Sequence, residues 1–408
     1  MSKSLGFLKK SWGFSFFLVL MSVGFVQVVL RALRGVSSHD YDIFRASALL
    51  LLGGQSPYGI SYPAGEYLYS PAAGILYYLP ISLLPYSISL VVIYFFLFLF
   101  FVGVSKKFYS DQKLLSQFGL NVFFVLIAFE ALGSLQNAKI ELFIAGTYLW
   151  LVLEAQTACF SSCLTRFLAA LSQFKLQPLS SVGLLLTALN KVTFKKFSYN
   201  FLLTFVILFF LPGFYFGFEQ VWSLHAEWLN KSSHFIRETF ETRSHLWVFF
   251  KNILNLNFSY SLTQQITLLW AAVFFLYCLY KRFFCQEAER DRVLRALALG
   301  GVFSLIFSPA AQSSAFVMLA PLYLAYLKFG FSSGSELFKT TFQKQLWILG
   351  LVLSFVFVSL LYSDLAPSFM RSYARENALK SLGASILLGC YLYFDIKNVS
   401  RRGSSCSQ

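Results

Sequence analysis

Charge is what this sequence has least of. Only 12% of its 408 residues are Asp, Glu, Lys or Arg, about half the share carried by an ordinary soluble domain. Such a chain cannot cover itself with a solvated surface. The missing motifs narrow the reading further. There is no Gly-rich phosphate loop, no HExxH zinc helix, no nucleophile elbow and no soluble nucleotide-sugar domain. Neither an internal repeat nor an RNA- or DNA-binding motif is present. The six cysteines, Cys159, Cys163, Cys278, Cys285, Cys390 and Cys406, fall in or beside apolar segments. Their spacing fits no disulfide framework or zinc site, and they read as small apolar packing residues.

What is abundant is apolar. Hydrophobic residues make up 57% of the chain and aromatics 19%, and the mean hydropathy is +0.64. The sequence predicts an all-α polytopic membrane protein forming one domain over residues 1–408. Apolar segments recur at about 12–34, 86–104, 119–134, 138–155, 158–172, 176–190, 197–217, 262–280, 293–309, 311–328, 345–363 and 382–396. That gives about 12 transmembrane helices, with a range of 11–13, since a span needs about 20 residues and fewer when neighbours shield it. The run at 70–85 is apolar but broken by prolines, so it either spans or lies at the interface. The first segment is too long for a signal-peptide core and reads as a retained span.

The formal net charge of +15 is a topology signal, because Lys and Arg cluster between the apolar runs. Lys3, Lys9 and Lys10, the 106–113 connection, Lys191 to Lys196, 281–295, 328–344 and 397–402 carry the excess. If all face the cytoplasm, twelve spans thread consistently, both termini are cytoplasmic and 70–85 is interfacial. The other face then holds 35–85, the turns at 134–138 and 172–176, the long loop 218–261, the turn near 309–312 and the loop 364–381.

Polar residues at that face carry the candidate chemistry, because lipid tolerates such groups only with a reason. Asp40 and Asp42 stand at a helix start within "SSHDYDIFRAS". Ser37 and Asp40 have the spacing of a capping box. A carboxylate here can equally act as a general base or hold a divalent cation through oxygen. Asp40, Phe44, Ala48 and Leu51 share a helical face, which would lay this helix on the membrane. The turn "GSLQNAKIELF" holds Gln136, Asn137, Lys139 and Glu141, either capping amides or contacts to a sugar and a phosphate. Lys175 in "SQFKLQP" is either a snorkelling lysine or a phosphate ligand. Arg243, suited to phosphate, and His245 precede an amphipathic stretch of an interfacial kind. Glu130, inside an apolar run, calls for a partner.

These segments resemble a known family. "HDYDIFRASALLLLGGQSPYG" followed by "YLYSPAAGILYYLPISLLP" resembles the start of glycosyltransferase family 87, membrane enzymes of the GT-C superfamily that use polyprenol-phosphate mannose. The family pattern falls on Asp40, Phe44, Ala46, Ala48, Gly54, Pro57 and Tyr58, then Tyr69-Ser70-Pro71 and Leu84-Pro85. Later elements resemble Ser134 to Asn137, Lys175 to Pro178, Thr242 to Leu246 and Ser308-Pro309. Two departures stand out: the family's Tyr-Pro-Pro is Tyr-Ser-Pro here, and no His follows Ser308-Pro309.

The resemblance implies a GT-C-like fold with interfacial helices in the first outside loop. It implies an inverting hexosyltransferase of the plasma (inner) membrane that passes a sugar, mannose in the family, from a polyprenyl-phosphate donor to a lipid or glycan acceptor. Asp40 would be the catalytic base, with Asp42 a metal-site or packing partner, or a rival base. Tyr58, Tyr69, Gln136, Asn137, Lys139, Lys175, Arg243 and His245 would line the substrate site. An outer-face enzyme without a nucleotide site needs a lipid-linked substrate, which agrees with the missing motifs. Two other classes stay open: a flippase or transporter for lipid-linked saccharide, and a non-catalytic subunit of an envelope complex. Transporters often show repeated halves, and none is visible.

Overall fold

The computed structural model describes residues 11–405 apart from 61–65, 112, 157–159, 241–244, 286, 308–312, 332–337, 339 and 364. Among the described residues every regular element is helical. Within the described residues, each apolar segment read from the sequence carries helix. Seven helices are long and apolar enough to cross a membrane: Trp12–Leu33, Tyr86–Asp111, Gln117–Gln136, Lys191–Phe216, Tyr260–Phe284, Thr341–Tyr362 and Leu379–Lys397. This is the architecture of an all-α membrane protein.

Several helices start where a short polar side chain can take a first-turn amide. Ser116, Ser161, Asn190, Ser259 and Thr340 accept from Gly119, Leu164, Thr193, Leu262 and Gln343 respectively. Such caps satisfy amides that a helix start leaves without partners.

The helices sort into an inner and an outer set. Gln117–Gln136, Glu141–Glu154, Gln177–Ala188, Glu289–Ile306 and Ala320–Phe331 are buried over most of their residues. Tyr260–Phe284 and Lys191–Phe210 instead expose apolar side chains such as Leu268, Leu276, Leu202 and Ile207. In water such a surface would drive association; in lipid it needs no cover. The inner helices Glu141–Glu154 and Gln177–Ala188 are short, about 21 and 18 Å long at the helical rise, against a hydrocarbon thickness of about 30 Å.

The segments read as sharing a face are tied together by contact. Lys139 pairs with Asp40. Trp228 Nε1 donates to the Leu68 carbonyl at 3.1 Å, and Asn252 Nδ2 donates to the Glu376 carbonyl at 2.6 Å. The basic connections meet at the opposite end. There Arg295 forks between Glu287, at 2.6 and 2.7 Å, and Asp395, at 2.9 Å. Lys328 joins Asp291 at 2.6 Å. Between the ends, Glu130 finds its partner: Lys380 Nζ lies 2.7 and 2.8 Å from its two oxygens. Lys380 also sits 4.7 Å from the centroid of the Tyr362 ring.

Two expectations need correcting. The helix His39–Leu52 starts where the polar pattern placed it, but no side chain caps it; both aspartates are drawn to tertiary partners. Its Phe44, Ala48 and Leu51 face does not lie on a membrane. These residues are buried, because Phe44 stacks on Tyr78 with centroids 4.3 Å apart and meets Tyr69 edge-on at 4.8 Å. The proline-broken run, read as either spanning or interfacial, is three short helical pieces. It comprises Pro71–Ala73, a π turn over Gly74–Tyr78, and Leu79–Ser82, covering roughly 18 Å at helical rise. Pro80 lacks an N–H to continue the helical ladder, and the wider turn before it accommodates that loss.

Candidate functional site

Asp40 and Asp42 are two residues apart on a helix, so their side chains diverge by about 200°. Tertiary packing gives them different partners. Tyr86 donates its hydroxyl to Asp42 Oδ1 at 2.5 Å, and the Ser38 amide donates to that same hydroxyl at 3.1 Å. Asp40 turns the other way and forms an ion pair with Lys139.

Lys139 is placed by a tight turn. The helix Gln117–Gln136 ends with Ala138 in left-handed conformation, φ +52°. The Lys139 amide donates back to the Ser134 carbonyl at 2.9 Å, and the next helix begins at Glu141. Glu141 is fully buried. Its Oε1 accepts from Lys175 Nζ at 2.6 Å. Lys175 comes from a second tight turn, between Ser162–Phe174 and Gln177–Ala188. Two acids and two bases, drawn from three separate segments, thus meet at one end of the bundle: Asp40 with Lys139, and Glu141 with Lys175.

An aromatic wall borders this quartet. Lys175 Nζ lies 5.8 Å from the centroid of the Tyr69 ring, within cation–π range. Phe174 meets Tyr69, Tyr77 and Tyr78 edge-on, with centroids 5.6, 5.1 and 5.4 Å apart. Tyr58 donates its hydroxyl to the Tyr69 carbonyl at 2.8 Å and so fixes that corner.

The long loop folds over the first one. Its helix Val221–Glu238 places Lys231 2.7 Å from Glu66, and Glu227 accepts from Ser56 at 2.5 Å. His225 on the same helix stacks on Phe209, with ring centroids 3.9 Å apart, and Nε2 donates to the Phe209 carbonyl at 2.9 Å. Burial holds its pKa below the ordinary histidine value.

Asp40, Tyr58, Tyr69, Lys139 and Lys175, all named from the sequence, therefore gather in one place. Others have different work. The Gln136 side chain donates to Gln27 at 3.2 Å. The Asn137 amide folds back on the Gly133 carbonyl at 2.7 Å, which is the capping role. His245 is fully buried, with Nε2 donating to the Phe240 carbonyl at 2.6 Å, so its ring braces the loop. Its imidazole is turned into the protein, away from any solvent-facing ligand. Arg243 and Ser308-Pro309 lie outside the described residues. The role of Glu141 was not legible, because its partner lies on another turn. Lys231, Glu66 and Trp228 carried no local signal at all. Among the described residues no group of three or more His, Cys, Asp or Glu could hold a metal ion, and the Asp40 and Asp42 carboxylates point apart.

No family model matches the chain, and no curated protein matches it. The resemblance to family 87 thus rests on the motifs alone.

Proposed function

We propose that this chain is an integral-membrane glycosyltransferase of GT-C type. In this reading it spans the plasma (inner) membrane twelve times with both termini in the cytoplasm. It moves a sugar, mannose by resemblance, from a polyprenyl-phosphate donor to a lipid or glycan acceptor on the outer face. The observation that carries the reading is the meeting of Asp40, Lys139 and Lys175 beside Tyr69, at the end of the bundle away from the basic connections.

The chemistry is a single inverting displacement. The acceptor hydroxyl attacks the anomeric carbon and gives its proton to Asp40. The bond from that carbon to the phosphate oxygen breaks, and polyprenyl phosphate leaves with the electron pair. Lys139 and Lys175 stand where negative charge grows on the departing phosphate, the position at which fixed charges lower a barrier most. Lys139 also holds the Asp40 carboxylate in place. A lipid-borne donor suits a site at the end of an apolar bundle.

One observation favours a second reading. The quartet is charge-balanced, two acids against two bases, as expected of a clasp that only pins the first loop to the two turns. A non-catalytic envelope subunit would use it so. Mass spectrometry of envelope glycolipids and glycoproteins from a strain lacking this protein separates the two. Loss of one defined hexose supports the enzyme; an unchanged glycan profile rejects it.

A further inference from the structure

Two buried polar side chains, one in the quartet and one near it, are incompletely satisfied. Glu141 uses only Oε1; its Oε2 is buried and has no hydrogen-bond partner among the described residues. Gln177 is 9% exposed, and neither its Nε2 nor its Oε1 is hydrogen-bonded among them. Buried polar groups are paired in more than about 90% of cases, so two such groups in one neighbourhood need an account.

Helical geometry places them at the same end of two parallel helices. Glu141–Glu154 and Gln177–Ala188 both start from turns at the same end, so they run in the same direction. Tyr148 lies about two turns beyond Glu141, on the same face, and Ser181 lies about one turn beyond Gln177, on the same face. The Tyr148 hydroxyl donates to Ser181 Oγ at 2.8 Å. Helical side chains lean toward the N-terminus, so the long tyrosine reaches back to the level of Ser181. That contact turns the Glu141 and Gln177 faces toward each other at the helix starts. Lys175, just before Gln177 in the chain, bonds to Glu141 and closes the third side.

We propose that Glu141 Oε2 and the Gln177 amide recognise hydroxyl groups of the sugar that the donor carries. A carboxylate oxygen only accepts, while an amide both donates and accepts. Neighbouring hydroxyls on a pyranose offer the matching set. The negative charge of Glu141 disfavours phosphate next to Gln177, so the phosphate lies between Lys139 and Lys175 and the ring on the side of Gln177. The inference rests on the glycosyltransferase reading and adds a specificity site to it.

The test is binding by the purified full-length protein in lipid nanodiscs. The probes are bare polyprenyl phosphate and polyprenyl phosphate bearing mannose, glucose, galactose or arabinose. At least one sugar-bearing lipid should bind about tenfold or more tighter than the bare lipid, as expected when buried polar groups find partners. Gln177→Leu should abolish that preference and leave the bare-lipid affinity unchanged. It should also hold or raise the melting temperature without ligand, because it removes buried polar atoms that have no partner. The inference is overturned if no sugar-bearing lipid is preferred, if Gln177→Leu keeps the preference, or if it lowers the ligand-free melting temperature. A Gln177-dependent preference with no transfer of any sugar would sink the glycosyltransferase reading alone. Transfer with a preference indifferent to Gln177→Leu would sink this inference alone.

Discussion

Replacing Asp40 by Asn removes one charge and changes almost nothing else. Asn keeps the size of Asp and suits a helix start as well. Lys139, only 7% exposed, would meet an amide oxygen where it now meets a carboxylate. The stability lost is the difference between a charge-assisted and a neutral hydrogen bond, about 1 kcal/mol. Solvent reduces it further, since 30% of the Asp40 side chain is exposed. Fold and membrane level should therefore survive. The rate should not, because an amide cannot take the proton from the attacking hydroxyl. Losing acid–base help slows a reaction by about 10²- to 10⁴-fold, a barrier increase of about 3–5 kcal/mol. That exceeds the stability change several times over, so the two effects are separable. The assay is the initial rate of sugar transfer in proteoliposomes, with thermal unfolding of the same preparation. Asp42→Asn serves as the comparison and should keep most of the rate, because that carboxylate faces Tyr86. Transfer at the wild-type rate by Asp40→Asn would refute the base assignment. Equal losses of stability and rate in Asp40→Asn and Lys139→Gln would leave the quartet as a clasp.

Lys380→Met should be far more destabilising, by about 3–5 kcal/mol, because it strands the buried Glu130 carboxylate; adding Glu130→Gln should recover most of the loss in thermal unfolding. Ala138→Gly should raise the melting temperature, since Ala138 stands at φ +52° and a non-glycine residue at positive φ costs about 1 kcal/mol or more. His225 gives a pH dependence with a fixed sign. Its folded pKa is depressed, so the unfolded chain binds more protons and stability falls as pH drops through the ordinary histidine range near ~6.5. Unfolding midpoints at pH 8 and 5 should differ less in His225→Gln, and an unaltered slope would count against the assignment. A single cysteine at position 107, on a cysteine-free background, should label from the cytoplasm and one at 231 from outside. Labelling of 107 from outside would overturn the twelve-span threading.

The sequence alone determined the solvent and the elements. Long apolar runs have nowhere to go but lipid or a helical core, and each run carries a helix because helix formation is settled by neighbouring residues. The alternation of basic and other connections likewise separated the two ends, since the contacts that gather Arg295, Glu287 and Asp395 lie opposite those that gather Asp40 and Lys139. Local pattern also picked out Asp40, Lys139 and Lys175 as residues a membrane would not keep idly, and the family resemblance added Tyr69.

Only the tertiary structure decided which partner each of them meets. Lys175 read as a snorkelling side chain or a phosphate ligand until its partner appeared, 34 positions away at Glu141. Glu130 had no visible reason in its own segment, because Lys380 lies 250 positions on. Helical spacing says that Asp40 and Asp42 face apart, but not which of them faces the lysines. The same spacing gave His39–Leu52 an apolar face, which could have met lipid or protein; Tyr69, Tyr78 and Phe174 made it protein. The physical reason is common to all four. Backbone conformation follows from adjacent residues, whereas an ion pair or a packed ring is made between segments whose separation along the chain carries no record of their meeting.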